Sequence, residues 1–179
     1  MRMIRISLVA VLAVAAVSAL PSRADSALNA YLKLKGVKQG NIRGSVVTKG
    51  REGQIRLRNV SQEVVSPRDA ATGQATGRRQ HGPLRVTFEL DSSTPLLFKA
   101  LCDNEMLQEV VIEFTSTDGR AGQEQRYYTI RLENASIARM VQRADGDDML
   151  VDVEFTFREI ELTWADGGIM AQDSWDVRR

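Results

Sequence analysis

Apolar and polar residues alternate with a period of two along most of this chain, which is the pattern of β-strands with one buried face. The clearest runs place apolar residues at Leu28, Ala30, Leu32 and Leu34; Leu84, Val86, Phe88 and Leu90; Val110, Ile112 and Phe114; and Tyr128, Ile130 and Leu132. Antiparallel strands that face a core on one side give this alternation. The sequence therefore predicts an all-β fold of antiparallel strands, of the sandwich or barrel class.

The longest alternating run, residues 149–164, changes phase part-way along. Its apolar residues occupy odd positions as far as Phe157 and even positions from Ile160 onwards. Because a slip of one residue turns the opposite face of a strand towards the core, we predict a bulge or sharp bend near Arg158 and Glu159. A strand bent in this way leaves one sheet and enters another.

One short segment, residues 94–102, has the pattern of an α-helix. Thr94 suits the N-cap, and Pro95 suits the first helical position, where its missing N–H costs nothing. Four apolar residues then follow at helical spacing: Leu97, Phe98, Leu101 and Cys102. We expect this stripe to pack on the sheet, which gives Cys102 a structural role.

The first 24 residues have the composition of a secretory signal peptide. Two arginines precede an apolar run of 15 residues, and small residues at positions 22 and 24 form a cleavage site before Asp25. The run is shorter than the roughly 20 residues that a membrane-spanning helix needs. We expect residues 1–24 to be cleaved, with an uncleaved anchor as the weaker alternative. One domain, residues 25–179, is then exported to the periplasm or beyond and has no attachment to the membrane.

Charge and cysteine content exclude several classes of function. Without the leader, 21 basic residues face 23 acidic residues, a net charge of about −2 that favours neither nucleic acid nor anionic membrane. Cys102 is the only cysteine, so the chain forms no internal disulfide. With one histidine and one cysteine, no zinc site is expected. Residues 145–148 lack the spacing of an EF-hand and indicate a turn. No cofactor is predicted.

Residues 66–83 contain three glycines, two prolines and no apolar periodicity. A structureless segment of this length is unusual within a small domain and is usually functional, so we expect it to project from the fold. Its charged residues are candidates for contacts with another subunit: Arg68, Asp69, Arg78, Arg79 and His81.

No pattern in the sequence indicates catalysis. His81 and Cys102 are the only residues available for a nucleophile–base pair, but Cys102 belongs to an apolar stripe, and we expect His81 to bond to the backbone. Two pairs of acidic residues lie on the outward faces of predicted strands, where we expect solvent to surround them: Glu109 with Glu113, and Asp152 with Glu154. The chain is therefore not expected to be an enzyme.

Three stretches of the sequence resemble the Hcp family, the haemolysin-coregulated proteins of type VI secretion systems. HGPLRVTFELDSSTPLLFKALCDNEMLQEVVIEF (81–114) is similar to the family's central segment, in which a strand leads to an aspartate, here Asp91, and to a helix start, here Thr94-Pro95. RYYTIRLENASI (126–137) resembles its tyrosine-rich strand. FREIELTWADGGIMAQDSWDVR (157–178) resembles its last strand and closing Asp-x-Trp motif, here Asp173 and Trp175.

The resemblance implies a two-sheet β-barrel with one helix that assembles as six-subunit rings. These rings stack head to tail into the inner tube of the secretion machine, contact its spike and sheath proteins, and carry effectors in the lumen. Residues 66–82 correspond to the loop by which one ring grips the next. The signal peptide departs from the family pattern, because tube subunits normally polymerise in the cytoplasm.

Two other functions stay open at this point. The leader is compatible with an exported binding module that kept the barrel and lost the ring. It is also compatible with a secreted hydrolase, which has no other support in the sequence.

Overall fold

The fold is built on one long antiparallel sheet that closes on itself. The computed structural model describes residues 28–117 and 124–174, so the predicted leader lies outside the described residues. The elements within those ranges, in chain order, are β1 Ala30–Gly36, β2 Gly40–Ile42, β3 Ile55–Ser61, β4 Val64–Val65, β5 Gln80–His81, β6 Leu84–Glu89, α1 Thr94–Cys102, β7 Leu107–Thr117, β8 Glu124–Asp145, β9 Asp148–Thr156, β10 Glu159–Trp164, a 3-10 turn Asp166–Gly168, and β11 Ile169–Ser174.

The order of the strands makes a closed barrel. The sheet runs β11-β10-β8-β7-β1-β3-β6-β9, with β2 beside β1, and β9 pairs again with β8. All of its pairings are antiparallel. Six strands thus close the barrel, while β10 and β11 extend from β8 outside the closed ring. The antiparallel all-β fold that the alternation predicts is confirmed, and so is the barrel with one helix that the resemblance implies.

Strand β8 closes the barrel because its two halves pair with different neighbours. Its first half lies between β7 and β10, and its second half pairs with β9. Asn134 lies between the halves with a φ of 49°. Asparagine tolerates this left-handed conformation better than most residues with a side chain.

The predicted change of phase in residues 149–164 is confirmed. The chain leaves β9 at Phe157 and continues as β10, which pairs with the other half of β8. Phe155 and Ile160 are both buried, although one is odd and the other even. The alternation overestimates burial at the strand ends. Leu90, Met149 and Trp164 fit the apolar pattern but are exposed, because the strands run past the core at these positions.

The helix begins as predicted, but its cap and its buried face differ. Ser93 occupies the N-cap and Thr94 the first helical position. Asp91 organises this start: its Oδ1 accepts from the Ser93 N–H at 2.8 Å, and its own N–H donates to Thr94 Oγ1 at 3.2 Å. The side chains that α1 buries are Thr94, Leu97 and Ala100. The predicted stripe was therefore wrong for Phe98 and Cys102, which are exposed.

The outward acidic pairs are less exposed than predicted: Asp152 and Glu154 form ion pairs with arginines of the neighbouring strands, and Glu113 departs furthest from the prediction. Glu113 is buried, with Arg51 Nη1 2.6 Å and Arg126 Nη1 3.1 Å from its carboxylate oxygens. Burial alone raises the pKa of Glu113, but Lys33, Arg126 and Arg51 outweigh it and hold the pKa below its usual value. This carboxylate ties the loop after β2 to the sheet.

A second buried carboxylate, Glu105, fixes the turn between β1 and β2. Its Oε1 accepts from the backbone N–H groups of Lys38 at 2.7 Å and Gln39 at 2.8 Å. Burial raises the pKa of Glu105, but the hydrogen bonds from Gln39 and Lys38 outweigh it and lower the pKa. A side chain at Gly36 would collide with this carboxylate, which explains the glycine there.

We expect Glu105→Ala to destabilise the fold by about 1–3 kcal/mol at pH 7, because two backbone donors lose their partner. Folding lowers the pKa of Glu105 below the ordinary glutamate value of 4.5. The contribution of Glu105 to the free energy of unfolding is therefore complete above pH 4.5 and is lost as the pH falls through the pKa of the folded state. Urea unfolding at several pH values measures the difference from wild type, which should shrink under acid conditions. Glu109→Ala, which breaks an exposed pair with Arg131, is the control and should cost less than about 1 kcal/mol. A difference for Glu105→Ala that is constant down to about pH 3 contradicts the assignment.

Candidate functional site: the projecting hairpin and its anchor

The segment between β3 and β6 is a hairpin that stands away from the barrel. Its strands β4 and β5 pair with each other and not with the main sheet, and an isolated bridge joins Arg68 to Ala75. Almost every side chain from residue 66 to residue 78 is exposed. The predicted projection is present, but the segment has hairpin structure, which its sequence did not indicate.

The tip of the hairpin is ordered by its own hydrogen bonds. Asp69 Oδ1 accepts from the backbone N–H groups of Ala71 at 3.0 Å and Thr72 at 2.7 Å. The Thr72 backbone and hydroxyl, together with Ala71, hold the pKa of Asp69 below its usual value. Arg68 Nη1 donates to the carbonyl of Gly73 at 3.1 Å. The tip therefore has a defined shape before it meets any partner.

The base of the hairpin is fixed to the last strand by Asp173. Arg79 donates to both carboxylate oxygens of Asp173, through Nε and Nη2. His81 Nε2 lies 2.7 Å from Asp173 Oδ2, and its ring meets the Phe157 ring edge-on with centroids 5.6 Å apart. The hydrogen bond from Arg79 is the largest influence on the pKa of Asp173, and together with His81 it lowers that pKa far below the usual range.

This anchor joins parts of the chain that are distant in sequence. Asp173 belongs to β11 and is paired with Ile160 of β10, whereas Arg79 directly precedes β5. A bidentate pair between a guanidinium and a carboxylate fixes both distance and orientation. The direction in which the hairpin projects is therefore set by the C-terminal strand.

The hairpin and helix α1 lie at opposite ends of β6. The hairpin precedes Leu84, the first residue of β6, which pairs with Phe155. The helix follows Glu89, the last residue of β6, which pairs with Leu150 beside the β8–β9 turn. At the helix end, a groove of about 410 Å³ is lined by Leu90, Asp91, Thr94, Pro95, Phe98 and Gln142. The two ends of this part of the barrel thus differ in shape and chemistry.

The structure divides the predicted contact residues into two groups. Arg68, Asp69 and Arg78 lie on the exposed part of the hairpin. Arg79 and His81 lie at its base, and the His81 side chain is only 6% exposed. His81 bonds to the carboxylate of Asp173, a partner that the sequence did not indicate. A role for these residues in stacking stays a prediction.

Among the predicted structural residues, Asp91 and Thr94 organise the helix start, and Pro95 lines the groove beside it. Trp175 lies outside the described residues. Asp173 was expected only as part of a closing motif, and its bonds to Arg79 and His81 were not predicted. The only indication of an acidic partner in the sequence was the pair of adjacent arginines, Arg78 and Arg79, in a loop with few apolar residues.

The described residues offer little for catalysis. His81 and Asp173 have the spacing of a histidine–carboxylate pair, but Cys102 lies on α1, a separate element. Within residues 28–117 and 124–174 there is no cluster of three or more histidine, cysteine or acidic side chains arranged to hold a metal ion. No helix in those ranges is long and apolar enough to cross a membrane. The bonds among Arg79, His81 and Asp173 hold the base of the hairpin in place.

Comparison with known proteins identifies the family. Residues 31–164 match the family described as "Type VI secretion system effector, Hcp". The chain belongs to the Hcp family. It is 35% identical to the "Major exported protein" of Pseudomonas aeruginosa over 163 residues, which covers 82% of this chain and 94% of that protein.

Solved structures of Hcp proteins share this fold. An Hcp1 protein from an E. coli pathovar has 34% identity and a TM-score of 0.78, with 83% of this chain and 99% of that one covered. "Secreted protein Hcp3" from Pseudomonas aeruginosa has 32% identity and a TM-score of 0.68, with 82% and 99% covered. Membership of the family makes this chain a type VI secretion tube protein, in preference to a binding module that builds no tube.

Asp173→Asn should loosen the base of the hairpin, because the amide cannot accept two charge-assisted bonds from Arg79. Trypsin should then cleave after Arg78 or Arg79 several-fold faster, which mass spectrometry of timed digests measures. Asp166→Asn is the matched control, since Asp166 is exposed on the same C-terminal hairpin and forms no ion pair among the described residues. Equal cleavage rates in wild type and Asp173→Asn, at unchanged melting temperature, would show that the anchor does not hold the hairpin.

Proposed function

We propose that residues 25–179 form hexameric rings that stack head to tail as the inner tube of a type VI secretion system. The observation that carries this proposal is the hairpin of residues 66–79, which is exposed, internally ordered and anchored at its base by Asp173. An ordered projection that is held to its own domain at its base and exposes the residues of its tip is suited to contact another molecule.

The two ends of the barrel fit repeated stacking in one direction. Head-to-tail stacking is a heterologous contact, so each subunit must present two different surfaces. The hairpin lies at one end of β6, and the groove lined by Pro95 and Phe98 lies at the other. Because the two surfaces differ, each added ring again presents a free end, so symmetry sets no limit on the length of the stack.

The predicted leader supports an export route for this tube protein. Residues 1–24 have the features of a cleaved signal peptide, and two relatives carry the names "Major exported protein" and "Secreted protein Hcp3". On this proposal the mature chain begins shortly before β1 and assembles after the leader is removed, in the periplasm or outside the cell. Secreted effectors in the lumen and the spike and sheath proteins are its other proposed partners.

Electron microscopy of purified residues 25–179 should show annular particles that join into short stacks at high protein concentration. Replacing residues 67–78 with Asn-Gly joins the two arms by a tight turn and keeps Arg79 and His81. This variant should form rings but lose the stacks, because only the projecting part of the hairpin is missing.

Glu63→Gln, an exposed change beside the hairpin, is the control and should stack as wild type does. Light scattering after size-exclusion chromatography gives the mass of each particle. Isolated globules at every wild-type concentration would refute the ring, and undiminished stacks in the shortened variant would refute the role of the hairpin.

A further inference from the structure

A second groove lies next to the groove at the start of helix α1. It has a volume of about 470 Å³ and an apolar lining formed by Leu28, Leu57 and Leu90, and we call it the corner groove. Leu90 and Asp91 line both this groove and the one beside Phe98, which we call the helix groove. Leu90 is 49% and Phe98 is 55% exposed. The two grooves thus give the helix end of the barrel one continuous surface with exposed apolar side chains.

The corner groove exists because strand β3 changes partners along its length. Residues 55–57 pair with the start of β1, whereas the strand from Leu57 onwards pairs with β6. The register shifts between Leu57 and Asn59, as it does at a β-bulge, which bends the strand that contains it. The start of β1 and the end of β6 therefore separate on either side of Arg58 and leave an opening between them.

The chain enters the domain at this opening. Leu28, the first described residue, is partly buried against the core and lines the corner groove. The carbonyl of Asn29 accepts from the Thr115 N–H at 2.8 Å, so strand β7 fixes the point of entry. Any segment that precedes Leu28 is therefore attached at the edge of the corner groove.

Most charges around the corner groove already have partners within the domain. Arg58 forms an ion pair with Glu89. The Asp91 carboxylate accepts from the backbone N–H of Ser45 at 3.1 Å and from its hydroxyl at 3.2 Å. Arg56, another lining residue, extends into solvent. An apolar segment can cover the apolar lining without breaking these bonds, and it gains free energy by removing apolar surface from water. The corner groove therefore suits an apolar occupant.

The predicted leader contains an apolar segment of this kind at a short distance along the chain. Its apolar run ends at Leu20, eight positions before Leu28. An extended chain spans at most about 3.5 Å per residue, so the run begins within about 28 Å of the groove. A tether of this length holds an attached segment at an effective concentration in the millimolar range. Even a contact with a dissociation constant near 0.1 mM then covers the groove for about nine-tenths of the time.

We propose that the uncleaved leader covers the corner groove and the helix groove, and so prevents another ring from stacking on this end of the barrel. The inference rests on the proposed function, in which the helix end faces the hairpin of the neighbouring ring. The leader is the occupant because it is an apolar segment of the same chain, attached at the edge of the groove.

Removal of the leader then permits stacking. A leader peptidase hydrolyses the peptide bond between Ala24 and Asp25: one water molecule is consumed, the released leader keeps a carboxylate, and Asp25 gains a free amine. The apolar run loses its tether and with it the millimolar effective concentration. Residues 25–27 alone precede Leu28 in the mature chain, and the surface at the helix end is uncovered. Tube growth is in this way limited to chains that have been exported.

A precursor with a removable leader tests the proposal. The recognition sequence of a site-specific protease is inserted between Ala24 and Asp25 of the full chain, and particles are followed by electron microscopy and light scattering before and after cleavage. The uncut precursor should need at least about a tenfold higher concentration to stack than the cut chain, because a groove that is free for about a tenth of the time weakens each contact about tenfold. Cleavage should produce stacks in the same sample.

Glycine and serine replace residues 6–20 in the matched control, which keeps the length of the leader and its attachment. This control should stack as the mature chain does, and circular dichroism establishes that each chain is folded. A control that prevents stacking as fully as the natural leader overturns the docking of the apolar run, since the bulk of the extension is then sufficient.

A disulfide measures the contact without any need for assembled rings. Val17→Cys in the leader and Val46→Cys in the corner groove are combined with Cys102→Ser, and a mild oxidant converts the two thiols to a disulfide that mass spectrometry detects. Thr76→Cys, exposed on the hairpin at the other end of the barrel, replaces Val46→Cys in the control and should react at least several-fold more slowly.

The outcomes separate this inference from the proposed function. Equal rates of disulfide formation at the groove and at the hairpin, or an uncut precursor that stacks at the same concentration as the mature chain, overturn the inference and leave the proposed function standing. Mature chains that form no stacks at any concentration refute the proposed function itself.

Discussion

The whole fold depends on the double pairing of strand β8. Because its first half pairs with β7 and β10 and its second half with β9, the sheet closes and most of its backbone edges disappear. The left-handed backbone of Asn134 separates the two halves. The same arrangement forces the chain to turn at Phe157, where β9 ends and β10 begins on the other half of β8. Closing the barrel thus leaves β10 and β11 as an extension with one open edge.

The sequence predicted those parts of the fold in which buried and exposed residues repeat at a regular spacing along the chain. Alternation identified the main strands, and the change of phase before Ile160 marked the corner, since both reflect which face of a strand meets the core. The position of the helix was predicted, but its buried face was not, because the spacing of Leu97, Phe98, Leu101 and Cys102 does not state which side of a short helix meets the sheet. Packing on the sheet selected the face that includes Leu97 and Ala100 and left Phe98 and Cys102 exposed.

The contacts that the sequence did not predict join distant residues through polar groups. Arg79 and Asp173 are 94 positions apart, and Glu105 and Lys38 are 67 apart. Loop residues follow no periodic pattern. The local sequence around a charged loop residue therefore does not indicate whether its side chain meets solvent or an oppositely charged partner. Glu113 shows the same limit: alternation placed it correctly on the outer face, but the loop carrying Arg51 covers it. Resemblance to Hcp proteins indicated the fold and the projecting loop, yet it did not name the residue that anchors the loop.

Strand β11 combines a bond to the projecting hairpin with an open backbone edge. Asp173, near its end, holds the base of the hairpin, while Ile169 and Met170, at its start, are exposed. β11 is bonded to the barrel only through β10, so its position is less constrained than that of any strand in the closed ring. In the proposed ring, a neighbouring subunit that covered the open edge of β11 would also hold Asp173 and hence the hairpin in place. Ring closure would then order the element that the proposed stacking uses, which would favour the assembly of complete rings before they stack.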